Sequence, residues 1–147
     1  MPWSQTWGDG GLVAVPSRLY FQRSPLPLAG LRLSVKDNMH LSGTVTTLGN
    51  KAYAELYDKQ ASSAEYLQRL IQQGAVILGK TKLCAFAGSE LPPSQCIDYF
   101  APWNPRGDRY QGPSGSSSGA AASVAGYSWL DISLCTDSMV SITKFPI

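Results

Sequence analysis

The sequence predicts an α/β fold, and three consecutive segments between residues 30 and 78 carry that prediction. The first segment alternates apolar and polar residues, as a strand does. The second repeats apolar residues every three or four positions, which is typical of an amphipathic helix. The third is a short unbroken apolar run, which indicates a strand buried on both faces. A strand, a helix and a strand in this order form a βαβ unit, whose two strands are parallel.

The first strand is predicted over residues 31–35, and it ends at Lys36-Asp37-Asn38. Before it, residues 1–29 are rich in aromatic residues, glycine and proline without a clear period, so we expect an extended, partly docked arm. The rest of the chain, residues 30–147, then forms one domain.

The helix of the βαβ unit is predicted from Ser62 onward. Ser62 and Glu65 have the spacing of a capping box, in which the serine bonds the N3 amide and the glutamate reaches back. An apolar face follows over residues 64–71, and Gly74 ends the helix as a C-terminal glycine. The second strand then starts at residue 75.

The second half of the chain is dominated by loops. Residues 82–87 favour a single helical turn, and residues 91–111 favour a long surface loop because they are rich in Pro, Asn and Asp. A Gly/Ser segment, residues 112–119, leads into small residues 120–125 that are compatible with a closely packed helix. Residues 132–135 then predict another buried strand.

Composition excludes several function classes. The 147 residues are 44% hydrophobic and carry a net charge of +2, with the basic residues scattered, which argues against a nucleic-acid surface. No basic segment followed by an apolar stretch marks a signal peptide, and no run approaches the ~18 apolar residues of a membrane span, so we expect a cytoplasmic protein. Cysteines at irregular spacing and a single histidine predict neither a metal site nor a cofactor. Those residues are Cys84, Cys96, Cys135 and His40.

Three interpretations compete for the Gly/Ser segment 112–119. A flexible linker is disfavoured because the segment runs directly into a helix. A phosphate cradle is disfavoured because no Gly-Lys-Ser/Thr follows the glycines. A catalytic serine loop remains, and it needs a base that a lone histidine does not supply. Lys36 is the candidate, since burial lowers the pKa of a lysine; spacing alone favours the alternative, an exposed Lys36 paired with Asp37.

Taken together, four segments resemble the amidase-signature family, and Asn104–Asp108 and the aromatic residues before Leu130 are most similar to its fungal-type members. The resemblance covers about residues 28 to 142, with every motif in order. It implies a mixed β-sheet flanked by helices, of which this chain is the N-terminal fragment. The segments are 30–38, 74–81, 104–105 with 115–122, and 131–138.

The resemblance also implies a Ser–cis-Ser–Lys triad. The family's lysine falls on Lys36, its bridging serine after a cis peptide bond on Ser117, and its nucleophile on Ser141. The implied reaction is hydrolysis of the C–N bond of a small carboxamide substrate, with no cofactor. The residues implied at the substrate and the oxyanion are Ser118, Ser138, Met139 and Val140.

Two departures from the family pattern support a rival interpretation. Met139 and Val140 stand where the family has two glycines before the nucleophile, and glycine allows backbone angles that a β-branched valine resists. The family's domain is also several hundred residues long, so residues 30–147 are expected to be a truncated domain. The alternative to an active hydrolase is therefore an inactive, amidase-like protein. An incomplete sheet also predicts self-association through an unpaired edge.

Overall fold

The computed structural model describes residues 13–88, 98–108 and 110–137. Each half of the described chain contributes strands to one sheet and helices beside it, in the order β1, α1, α2, β2, α3, β3. The bounds are β1 Arg32–Lys36, α1 Lys51–Leu56, α2 Glu65–Gln72, β2 Val76–Thr81, α3 Ser118–Gly126 and β3 Ile132–Leu134, with 3₁₀ turns at Arg18–Phe21 and Ala85–Ala87.

The sheet has three strands in the order β2-β1-β3, and both pairings are parallel. Lys36 pairs with Thr81, and Val35 pairs with Leu134, so the carboxyl ends of the three strands meet at one edge. The α/β fold and the parallel βαβ unit are therefore confirmed. The antiparallel pairing of a mixed sheet is not found among the strands that the structure describes.

Two apolar clusters pack around the sheet. In the first, Val35 of β1 packs with Leu67 of α2 and with Leu41. In the second, Leu78 of β2 packs with Leu130. Burial of such side chains contributes about 1.5–3 kcal/mol each, so the first cluster holds β1 in place. This buried strand carries Lys36 at its end.

The described part of the arm, residues 13–29, lies against the domain. Val13 and Val15 pack on the second apolar cluster. Arg32 donates from Nη2 to the carbonyl of Pro16 at 2.6 Å. Residues just before β1 therefore share packing and hydrogen bonds with the domain that follows.

The helix α2 ends as predicted but starts differently. Gly74 has a φ of +97° and donates to the carbonyl of Ile71 at 2.9 Å, which confirms the glycine C-terminus. The predicted capping box is wrong, because the N-cap is Ala64 and makes no side-chain cap hydrogen bond. The predicted cap, Ser62, lies two residues before the N-cap, and its neighbour Ser63 accepts from the amide of Ser42 at 3.0 Å and so holds a loop in place.

Two further elements differ from the sequence prediction. The short helix α1 was not predicted; Asn50 caps it by accepting from the amide of Tyr53 at 2.8 Å. The strand β3 was predicted to be buried, yet Ile132 is 42% exposed. The reason is its position, because β3 lies at the edge of the three-stranded sheet.

Candidate active site

Lys36 lies at the buried carboxyl end of β1 and is only 1% exposed. Its Nζ donates to Ser116 Oγ at 2.8 Å and to the carbonyl of Thr136 at 3.0 Å. The alternative of an exposed lysine paired with Asp37, which spacing alone favoured, is therefore wrong. The lysine reaches instead into the Gly/Ser segment, 80 residues further along the chain.

Burial lowers the pKa of Lys36 below its ordinary value of 10.5, because desolvation disfavours the charged ammonium. Cys135, Asp137 and Cys84 act in the opposite direction through their negative forms. The net direction is downward, so the neutral amine becomes available closer to neutral pH. A neutral amine that contacts a hydroxyl is equipped to accept its proton.

Asp37, the next residue, has a different partner. It forms an ion pair with Lys80 at 2.6 Å, and both side chains are buried. Thr47 donates from Oγ1 to the same carboxylate at 2.5 Å. Burial lowers the pKa of Lys80 as well, although Asp37 opposes that shift. The charge of Asp37 is thus compensated inside the protein by a lysine other than Lys36.

The Gly/Ser segment is pinned against the residues that follow β2. Ser116 accepts through its carbonyl from the amide of Cys84 at 3.1 Å, and Gly119 donates to the carbonyl of Lys82 at 3.0 Å. The peptide bond between Gly115 and Ser116 is cis. Small side chains over 118–122 allow α3 to start close to the sheet, since most of them are buried there. This packing places the hydroxyl of Ser116 within hydrogen-bond distance of Lys36.

The cis peptide bond lies one residue earlier than the sequence predicts, before Ser116 and not before Ser117. Ser117 is 1% exposed, and its Oγ donates to the carbonyl of Thr136 at a longer 3.5 Å. Lys36 thus contacts the hydroxyl of Ser116, whereas Ser117 lies next to it at the same carbonyl. The sequence did not distinguish the two because residues 116–118 are three serines in succession.

The other predicted site residues divide into two groups. Ser118 starts α3 and is buried, and its Oγ has no hydrogen-bond partner among residues 13–88, 98–108 and 110–137. Ser138, Met139, Val140 and Ser141 lie outside the described residues.

Two residues at this edge were not assigned a role from the sequence. Thr136 follows β3 and accepts from Lys36, while Asn38 donates from Nδ2 to Thr136 Oγ1 at 2.7 Å. The available signal was topological: parallel strands bring their carboxyl ends together, so residues just after β1 and β3 must be neighbours.

A cavity of about 730 Å³ opens beside the site, between α3 and the loop at 104–113. Its wall includes Ala121 and Ala125 of α3 and Cys135, the residue before Thr136. The neighbouring hydroxyl of Ser117 acts to lower the pKa of the Cys135 thiol, against the larger effect of burial, which raises it. The cavity therefore reaches the residues next to Lys36, and its volume is that of a small-molecule site.

Metal-ligand clusters and membrane spans are both missing from the described part of the chain. No group of three or more His, Cys, Asp or Glu side chains suited to a metal ion is found there. None of its helices is both long and apolar enough to cross a membrane.

The chain is similar in sequence to curated amidotransferases. A glutamyl-tRNA(Gln) amidotransferase subunit of Deinococcus deserti is 40% identical over 117 residues, which are 79% of this chain and 23% of that protein. The corresponding protein of Synechococcus sp. is 35% identical over 89% of this chain and 26% of its own length. The chain thus spans about a quarter of the length of these relatives.

Solved structures show the same likeness. Allophanate hydrolase of Kluyveromyces lactis, as its S177A variant, matches with a TM-score of 0.58 at 31% identity, over 68% of this chain and 16% of that one. Peptide amidase of Stenotrophomonas maltophilia matches with a TM-score of 0.54 at 31% identity, over 67% of this chain and 20% of that one.

The family model for amidases matches residues 14–143, which is most of the chain. This match includes β1 with Lys36, the Gly/Ser segment and β3. The chain therefore belongs to the amidase-signature family.

Proposed function

We propose that this chain carries the base and the bridging serine of an amidase-type hydrolase that cleaves the C–N bond of a small carboxamide. The observation that carries the proposal is the 2.8 Å hydrogen bond between Lys36 Nζ and Ser116 Oγ. Burial makes that amine a better proton acceptor by favouring its neutral form. Ser–Lys arrangements are an established variant of serine catalysis.

In the proposed reaction, neutral Lys36 accepts the proton of Ser116 Oγ while Ser116 accepts the proton of the nucleophilic hydroxyl. Ser141 supplies that hydroxyl by family resemblance, and its oxygen attacks the carboxamide carbon. The relay then runs backwards and protonates the leaving amine as the C–N bond breaks. Water resolves the acyl-serine through the same relay, which restores the starting state.

Ser117 takes no part in proton transfer in this proposal. Its hydroxyl lies beside the carbonyl of Thr136 and the thiol of Cys135 rather than on Lys36. We assign the bridging position to Ser116. Ser117 packs beside Ser116 and Lys36. Ser118 and residues 138–140 keep their implied place around the substrate and the oxyanion.

The rival proposal is an inactive amidase-like protein, and a specific observation favours it. Met139 and Val140 occupy the positions where the family has glycines. Loss of an oxyanion donor costs roughly a hundred- to a thousand-fold in rate. An intact Lys36–Ser116 contact is compatible with both proposals, so reactivity must decide between them.

The substrate class rests on the family. The relatives include an allophanate hydrolase, a peptide amidase and an amidotransferase, and an amide-type C–N bond is what these names share. A cytoplasmic location, the fungal-type subgroup and self-association through the unpaired edge of an incomplete sheet remain predictions. Light scattering tests the last of these.

Intact-mass analysis after treatment with a fluorophosphonate tests the proposal, with Ser141→Ala as the matched control. A single adduct that disappears in Ser141→Ala supports a competent relay in this chain. A folded chain that acquires no adduct overturns the hydrolase proposal and leaves the inactive amidase-like protein.

A further inference from the structure

We propose that Asn38 and Thr136 form a clamp that holds Lys36 against Ser116, so that both are positioning residues of the site. The clamp is the hydrogen bond from Asn38 Nδ2 to Thr136 Oγ1, which is 2.7 Å long. The inference rests on the proposed function, in which Lys36 is the base. Neither side chain touches the reacting atoms, since Thr136 meets the Lys36 amine only through its backbone carbonyl, so each side chain acts through the lysine.

Three side chains converge on Thr136. Lys36 Nζ donates to its carbonyl at 3.0 Å, and Ser117 Oγ donates to the same oxygen at 3.5 Å. Asn38 holds the side-chain oxygen of the same residue. Thr136 is thus the point at which β1, β3 and the Gly/Ser segment meet, and its position fixes where the Lys36 amine lies.

The clamp connects β1 and β3 just beyond the last residues that pair in the sheet. The last described pair between β1 and β3 is Val35 with Leu134. Asn38 and Thr136 lie beyond that pair, three and two residues further along their strands. Their side chains therefore join two chain segments that no backbone ladder joins, and they do so next to Lys36.

The hydrogen bond persists in either orientation of the Asn38 amide. The Thr136 hydroxyl both donates and accepts, so it can bond the amide nitrogen or the amide oxygen. In the orientation seen, Asn38 Oδ1 is buried and has no hydrogen-bond partner within the described ranges. The contact with Thr136 is then the hydrogen bond that anchors this side chain.

Substitution of the clamp leaves the charges around the lysine unchanged. The titratable groups that act on Lys36 are Cys84 after β2, Cys135 at the end of β3, and Asp137. Asn38 and Thr136 are neutral. A changed titration of Lys36 in a clamp variant therefore reports a change in the position or hydration of its amine.

The test follows the ¹³Cε resonance of Lys36 against pH by NMR, with the resonance assigned by its loss in Lys36→Met. Thr136→Val removes the hydroxyl but keeps the shape and the backbone carbonyl. Asn38→Ala removes the other half of the clamp, and Thr136→Ser keeps the hydroxyl as the conservative control. We expect the midpoint to move up toward 10.5 in Thr136→Val and Asn38→Ala, and to stay at the wild-type value in Thr136→Ser.

Folded Thr136→Val and Asn38→Ala proteins that titrate at the wild-type midpoint overturn the clamp, even if both are less stable. Thr136 lies at the exposed end of the clamp and Asn38 at the half-buried end, so if Asn38→Ala does not fold, Thr136→Val decides alone. The readout needs no turnover. An upward shift in a chain that forms no fluorophosphonate adduct thus supports the clamp and still overturns the hydrolase proposal.

Discussion

Two lysines at the same edge of the sheet have opposite surroundings. Lys36 ends β1, and Lys80 lies on β2 opposite Val35. Both are almost completely buried, and burial is the main cause that lowers the pKa of each. Lys80 faces the carboxylate of Asp37 at 2.6 Å, whereas Lys36 donates to two neutral oxygens.

The different partners suit the two lysines to different roles, stability for Lys80 and proton transfer for Lys36. An ion pair stabilises the charged ammonium, so Lys80 is suited to hold its proton and brace the loop that contains Thr46 and Thr47. Neutral partners do not favour the charge to the same extent, so Lys36 is suited to release and accept a proton. Asp37 follows Lys36 directly in sequence, yet its pairing with Lys80 leaves Lys36 to the hydroxyl of Ser116.

The largest expected effect comes from breaking the ion pair. Lys80→Met leaves the carboxylate of Asp37 buried without its cation, which should cost about 3–5 kcal/mol of unfolding free energy. Urea denaturation measures the loss. The double variant Lys80→Met/Asp37→Asn removes both charges and should recover most of it. Equal losses in the single and double variants would show that the pair is not what stabilises this edge.

A smaller effect is expected in the pH dependence of stability. Because the pKa of folded Lys36 lies below its unfolded value, the folded chain holds fewer protons between the two values, and the unfolding free energy rises with pH there. The rise is at most about 1.4 kcal/mol per pH unit for one lysine. The charged Lys36 lowers the unfolding free energy by its full amount below the folded pKa, and this loss disappears as pH approaches 10.5.

Other groups titrate in the same window, so the comparison needs a difference curve. Lys80 contributes with the same sign, whereas Cys135 and Tyr99, whose pKa values burial raises, contribute with the opposite sign above about pH 9. Subtracting the Lys36→Met curve from the wild-type curve isolates Lys36. A flat difference between about pH 6 and 10 would contradict a lowered pKa.

The smallest effect is expected from Lys36→Met at neutral pH. The substitution removes two hydrogen bonds but also the cost of burying an amine that forms no ion pair within the described residues, and methionine has a similar shape. The unfolding free energy should stay within about 1.5 kcal/mol of the wild-type value. Thermal unfolding checks this, and a loss as large as that of Lys80→Met would erase the distinction between the two lysines.

The βαβ unit could be predicted because its periodicities are strong: alternation before Lys36, an apolar face that includes Leu67, and a glycine end at Gly74. The start of α2 could not, because Ser62 and Glu65 have the spacing of a capping box but the helix begins at Glu65, just after Ser63, whose hydroxyl bonds a loop amide distant in sequence. Local spacing gives no information about such a tertiary partner.

In the site too, sequence motifs predict some features and tertiary contacts decide the others. Lys36 was found through the family motif, although its spacing alone favoured an exposed side chain. The contact of Lys36 with Ser116, and not with Ser117, escaped prediction because three serines follow one another, and their packing in the fold decides which hydroxyl meets the lysine. Asn38 and Thr136 required the strand register.

The most direct test of the account compares Ser116→Ala with Ser117→Ala in the rate of fluorophosphonate adduct formation at Ser141. If Lys36 works through Ser116, Ser116→Ala should slow the reaction by roughly 10²–10⁴-fold, while Ser117→Ala should retain most of it. The reverse outcome, a fast Ser116→Ala and an inert Ser117→Ala, would contradict the relay described by the Lys36–Ser116 contact.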